Sequence, residues 1–155
     1  MEFLGKNKTA EENIDLGIGL YHALSVGDLP AAWLISKDIA EKTSYALAFN
    51  CGLCLFLLGE AERSLSDLKI AEKLLGSPPE FDISDRKLFI KSIELSENGS
   101  KPLYLLPLNP KSAAIQARYG LIRVRWLTAI CLTALGRTQE AAPIIRFLSQ
   151  YGIKI

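Results

Sequence analysis

The sequence predicts an all-α fold assembled from repeated helical hairpins, and three observations carry that prediction. Apolar residues recur every three or four positions along most of the chain, while no run of alternating Val, Ile or Thr marks a half-buried strand. Three glycines punctuate the pattern in the same way: Gly27-Asp28, Gly59-Glu60 and Gly136-Arg137-Thr138 each follow an apolar run and precede a new one. A glycine there suits the left-handed residue that ends a helix, so each marks the turn of a hairpin. Side chains at equal distances from these glycines are also alike in size, as repeated packing units require. With 155 residues, 49% of them apolar and 23% charged, the chain has material for one substantial core and too little length for two independent ones.

The expected helices cover residues 10–26, 28–42, 44–58, 60–75, 84–97, 110–135 and 138–150. Thr9 and Glu12 have the spacing of a capping box at the start of the first. Asp28 caps the second. The third holds the most apolar stretch, Tyr45 to Leu58, which is interrupted by Asn50 and is shorter than the roughly 18 residues of a membrane span, so it reads as a buried helix. Glu60, Glu62, Asp67 and Glu72 give the fourth a solvated outer side. The fifth is followed by a greasy loop, Asn98 to Pro107, where Gly99, Pro102 and Pro107 surround Leu103, Tyr104, Leu105 and Leu106 and discourage regular helix. Asn109-Pro110 supplies a cap and a first-turn proline for the sixth. The hairpin units are therefore 10–42, 44–78 and 110–150. The first two glycines lie 32 residues apart and the next two 77, so a divergent insert of about residues 80–109 interrupts the array.

Charge and motif content narrow the chemistry. A formal net charge of +1 removes the bulk attraction on which nucleic-acid and membrane-surface binders rely. Arg118, Arg123, Arg125 and Arg137, interleaved with Tyr119 and Trp126, form the densest basic cluster, but Arg123 points away from the face shared by Arg118 and Arg125, which suits salt-bridged positions better than a phosphate-binding stripe. The N-terminus lacks the basic start, long apolar stretch and cleavage site of a secretory signal, so a cytoplasmic location is expected. Three cysteines, an odd number, then read as reduced thiols. Cys51-Gly52-Leu53-Cys54 has the spacing of a redox pair but falls in mid-helix, without the preceding strand or the helix N-terminus that lowers a thiol's pKa. His22, Cys54 and Cys131 each stand five residues before a hairpin glycine. Equivalent sites in stacked units lie roughly 8 to 10 Å apart, too far to share one zinc ion. Gly17-Ile18-Gly19 lacks the third glycine and the strand of a dinucleotide fingerprint. No catalytic, cofactor or metal site is expected.

The repeat columns give more. One residue before the glycines stand Val26, Leu58 and Leu135; four before, Ala23, Leu55 and Leu132; five after, Ala32, Ser64 and Ala141; twelve after, Ile39, Ala71 and Leu148. The middle unit, residues 45–78, adds Asn50-Cys51-Gly52, Leu65, Leu68 and Pro78. This pattern of small and large residues resembles the tetratricopeptide repeat (TPR), an antiparallel helix pair that stacks into a right-handed solenoid. The units lack the family's early tryptophan, and Ser36, Leu68 and Ile145 stand where its second-helix aromatic belongs. The resemblance implies that the first helix of each pair lines a concave groove, here Tyr21, Phe49, Asn50, Leu53, Phe56, Arg123, Trp126 and Ile130 among others. The surface is apolar, with too few basic groups for a carboxylate clamp.

A non-enzymatic adaptor or small chaperone is the leading expectation, similar to short TPR chaperones of secretion systems, with Asn50 hydrogen-bonding the backbone of an extended apolar ligand. Because the third helix is apolar around nearly its whole circumference, something must cover its groove side. A partner's peptide or helix, a homodimer contact, and the chain's own residues 102–108 or fifth helix are the alternatives. Two other classes remain: a small enzyme using Tyr21, His22 or the cysteines, and a nucleic-acid-associated module using the arginine-rich helix.

Overall fold

The computed structural model describes residues 10–155, and among these the chain forms eight α-helices, one 3-10 turn and no strand. In order they are α1 (Ala10–Ser25), α2 (Leu29–Lys37), α3 (Tyr45–Leu57), α4 (Ala61–Leu75), α5 (Ile83–Ser96), the 3-10 turn (Leu103–Leu105), α6 (Pro110–Ala113), α7 (Ala117–Ala134) and α8 (Thr138–Ser149). The fold is all-α. The expected pairing of Thr9 with Glu12 lies outside the described residues. No described helix is long and apolar enough to cross a membrane.

The three hairpin turns share one geometry. Gly27, Gly59 and Gly136 have φ of 77°, 85° and 76°. The following residue in each case donates back across the turn, Asp28 to Ala23 O at 2.9 Å, Glu60 to Leu55 O at 2.8 Å and Arg137 to Leu132 O at 2.8 Å. The glycine N–H itself donates to Leu24, Phe56 and Thr133 respectively. This double closure satisfies carbonyls that a helix end otherwise leaves unpaired, and it requires a left-handed residue at the glycine.

The hairpins α1–α2, α3–α4 and α7–α8 stack in chain order: α1 packs on α2 and α3, α2 on α3, α4 and α3 on α7, and α7 on α8. The chain between α4 and α7 leaves the stack and returns, so that α7 occupies the place next after α4. Close approach within the middle hairpin depends on Gly52. A Cβ there would stand 3.3 Å from both Leu68 Cγ and the Ser64 carbonyl, and the Ser64 hydroxyl donates to Gly52 O at 2.7 Å.

Two of the expected helices differ. The second ends at Lys37 rather than residue 42, because Ile39 is drawn into the core and Lys42 reaches the buried Asp67 carboxylate at 3.3 Å, which a continued helix would not allow. Burial nevertheless raises the Asp67 pKa, with Lys42 opposing. The expected helix 110–135 is broken into α6 and α7. The carbonyl of Ala113, which a continuing helix would pair with residue 117, instead accepts from the Tyr45 hydroxyl and the Gln116 amide. The chain turns there, and α7 begins beside Tyr45, where Gly120 leaves room for the phenol ring: a Cβ at Gly120 would collide with it.

Two apolar clusters result. The larger joins the first two hairpins to α7 through residues such as Leu20, Phe49, Leu53, Leu68 and Leu127. The smaller joins α5 to the back of α7 and the C-terminal end of the chain through Ile93, Ile122, Trp126, Leu148 and Tyr151.

Candidate functional site

Ten consecutive residues of α3, Ala46 to Leu55, are buried. It packs on α1 and α2 and on α4 and α7, and its remaining side, the one expected to line a groove, is covered by the chain itself. Residues 102–113 cross α7 at the 3-10 turn, then α3 at Leu108, then α1 at α6, so they run over the first helices of all three hairpins in reverse order.

Asn50 is the centre of this contact. Its Nδ2 donates to the Leu108 carbonyl at 2.9 Å and its Oδ1 accepts from the Leu108 amide at 2.9 Å. Asn50 is 1% exposed and Leu108 is buried with it. Both main-chain groups of Leu108 are therefore satisfied by one buried side chain. Leaving a buried amide or carbonyl unpaired costs about 1 to 3 kcal/mol, so the amide side chain fixes the register of the crossing segment.

Arg123 holds the segment two residues earlier. Its Nη2 donates to the Leu106 carbonyl and its Nη1 to the Tyr119 hydroxyl at 2.9 Å. The guanidinium lies over the rings of Phe49 and Tyr119 at 5.4 and 5.5 Å. The side chain is buried, it has no carboxylate partner among the described residues, and its Nε has no hydrogen bond. Burial lowers its pKa, while Tyr119 opposes the shift. A cation so placed is supported by dipoles and π faces rather than by a counter-charge. Near the segment's start, the Tyr104 ring packs on Trp126 with centroids 5.9 Å apart.

Of the residues expected to line the groove, Phe49, Asn50, Leu53, Arg123 and Trp126 are all buried. Asn50, Phe49 and Arg123 come together under the crossing segment, and Trp126 joins the same cover through Tyr104. Ile130 is half-buried between the two apolar clusters. Tyr21 is engaged elsewhere, its ring 5.7 Å from His22 and its carbonyl accepting from Ser25. Phe56 is half-buried, packed against the larger cluster. Sequence reasoning missed Tyr45, which acts on a backbone carbonyl 68 residues away, and named Tyr119 only among the aromatics between the arginines, although it stands one helical turn before Arg123.

Cys51, Cys54 and Cys131 are buried free thiols. Burial first, with the Asp67 carboxylate adding, pushes the Cys51 thiol up to about 12, and burial likewise raises Cys54 and Cys131. Such thiols stay protonated and are poor nucleophiles. His22 is exposed, and no group of three or more metal-type side chains assembles among the described residues. Arg125 pairs with Glu72 at 3.2 Å, Arg137 with Glu62 at 3.0 Å and Glu140 at 2.7 Å, and Arg118 with Glu80 at 3.4 Å. The arginine-rich helix thus spends its charge inside the fold. No family model matches the chain, and no curated protein or solved structure is significantly similar to it.

Proposed function

We propose that the chain is a non-enzymatic, TPR-like interaction module whose concave groove grips an extended apolar segment by its backbone, and that residues 103–109 take the place of that segment in the free chain. The stack of three hairpins with a common turn geometry supports the TPR-like description. The single observation that carries the reading is the paired hydrogen bond between Asn50 and Leu108. Recognition of main chain is independent of the ligand's side chains, so a partner strand of similar apolar character can make the same pair, as extended peptides do in other grooves. Protonated, buried thiols and internally paired arginines support a binding role over thiol chemistry or polyanion binding.

A tethered segment competes at an effective concentration on the order of millimolar, so an external ligand binds the intact chain weakly and binds strongly once the cover is loosened. The test replaces residues 103–108 with Gly and Ser, confirms helicity by circular dichroism, and titrates a synthetic peptide of residues 102–109. The expected result is binding at least about tenfold tighter than to the unaltered chain, abolished by adding Asn50→Ala. Equally poor binding to both folded proteins would overturn the reading and make the segment a fixed structural cover.

A further inference from the structure

α5 presents an apolar face that none of the described residues covers. Leu88 and Leu95 are 66% and 64% exposed, and Ile115, just before α7, is 87% exposed. Leu88 and Leu95 are seven residues apart and form a ridge along one face of the helix. Beside the ridge lies a cleft of about 390 Å³, with Phe81, Phe89, Ile93, Leu103 and Ile115 in its walls. Ser92 and Ser96 lie between the ridge and the far wall, and their hydroxyls donate to the Phe89 and Ser92 carbonyls of their own helix at 2.6 and 2.7 Å. The serine donors are therefore already satisfied, and this face can lose water at small cost.

We infer that α5 is the contact surface of a homodimer, in which two copies of the helix pack antiparallel about a two-fold axis near Ser92. The helix is self-complementary in shape. Leu88 stands four residues before Ser92 and Leu95 three after, so an antiparallel copy sets each ridge leucine against its counterpart with the small serine at the crossing, and each ridge faces the other copy's cleft.

It is also self-complementary in charge. Lys87 and Lys91 precede Glu94 along the exposed flank beside the ridge. None of these three enters an ion pair among the described residues, in contrast to Arg86, Arg118, Arg125 and Arg137. An antiparallel arrangement brings Lys91 of each copy beside Glu94 of the other, whereas a parallel one would set like charges together. A 14-residue helix is only about 21 Å long. Helix-on-helix contact alone falls short of the roughly 800 Å² per partner of a standard interface, so Ile115 and the cleft wall share the contact and the dimer is concentration-dependent.

Sedimentation equilibrium over a range of concentrations tests this on the full chain. The unaltered chain is expected to dimerise. Lys91→Glu and Glu94→Lys each set like charges together twice and are expected to weaken the dimer about tenfold. An equimolar mixture of the two variants, or the double exchange in one chain, is expected to restore it. Leu88→Ser with Leu95→Ser is expected to leave monomer. All these side chains are exposed, and circular dichroism checks that each variant keeps the native helicity. A monomer at every concentration, or a dimer indifferent to these changes, would overturn the proposal. The result is independent of the groove reading, which is tested by peptide binding.

Discussion

α3 and α5 are of nearly equal length, 13 and 14 residues, yet ten consecutive residues of one are buried and only Ile93 of the other. α3 carries no charged residue, and its single strong hydrogen-bonding amide, Asn50, is spent on the backbone of Leu108. α5 carries charges at both ends and through its middle, and it enters the fold by one stripe, Phe89, Ile90 and Ile93, packed beneath Tyr151 and α7. The comparison shows two ways in which an apolar surplus is handled. Around α3 the surplus is covered from within, by residues 102–113. On α5 the surplus, Leu88 and Leu95, is left facing outward.

The difference predicts unequal sensitivity to substitution. Leu53, fully buried on α3, is expected to cost about 3 kcal/mol on change to alanine, since removing a core leucine leaves a cavity that packed neighbours fill only in part. Urea unfolding measures it. A cost below about 1 kcal/mol would show that the cover repacks freely and that the two helices are not so unlike.

Alkaline pH sharpens the contrast next. The Cys51 thiol and the Tyr45 phenol ionise near 9.0 and 10.0 in an unfolded chain, and burial holds each at about 12 in the fold. Between pH 9 and 12 the unfolded state therefore gives up protons that the folded state keeps, so stability present below pH 9 is lost as the pH rises through that window. Cys51→Ala is expected to flatten the early part of this loss. An unchanged profile would mean that the α3 region is wetter than the structure describes.

The smallest effect is expected on the other side. Leu88→Ala changes an exposed side chain and is expected to alter stability of the monomer by no more than about 0.5 kcal/mol in dilute solution. A larger loss would mean that α5 is covered within the chain after all.

Much of this contrast was legible in the sequence, and the rest was not for a physical reason. Gly27, Gly59 and Gly136 announce the hairpins because a helix ending in the left-handed region leaves a local signature. The apolar circumference of α3 announces that its third side is covered, and Asn50 stands out as a group able to hold an extended backbone. That the backbone is residue 108 of the same chain is not written locally, since periodicity states that a face is dry and not which segment dries it. The break at 114–116 is hidden for the same reason: it follows from Tyr45, 68 residues away, accepting no role in its own helix's periodicity but donating to Ala113. Ile39 and Lys42 likewise shorten α2 through partners in the core and on α4.

The central claim is that the groove is closed by backbone recognition of residues 102–113. Amide hydrogen exchange at Leu108 tests it most directly. Protection close to that of the α3 core amides is predicted, with fast exchange at the amides of the exposed residues Ser100 and Lys101. Leu108 exchanging as fast as those loop amides would show an open groove and contradict the account.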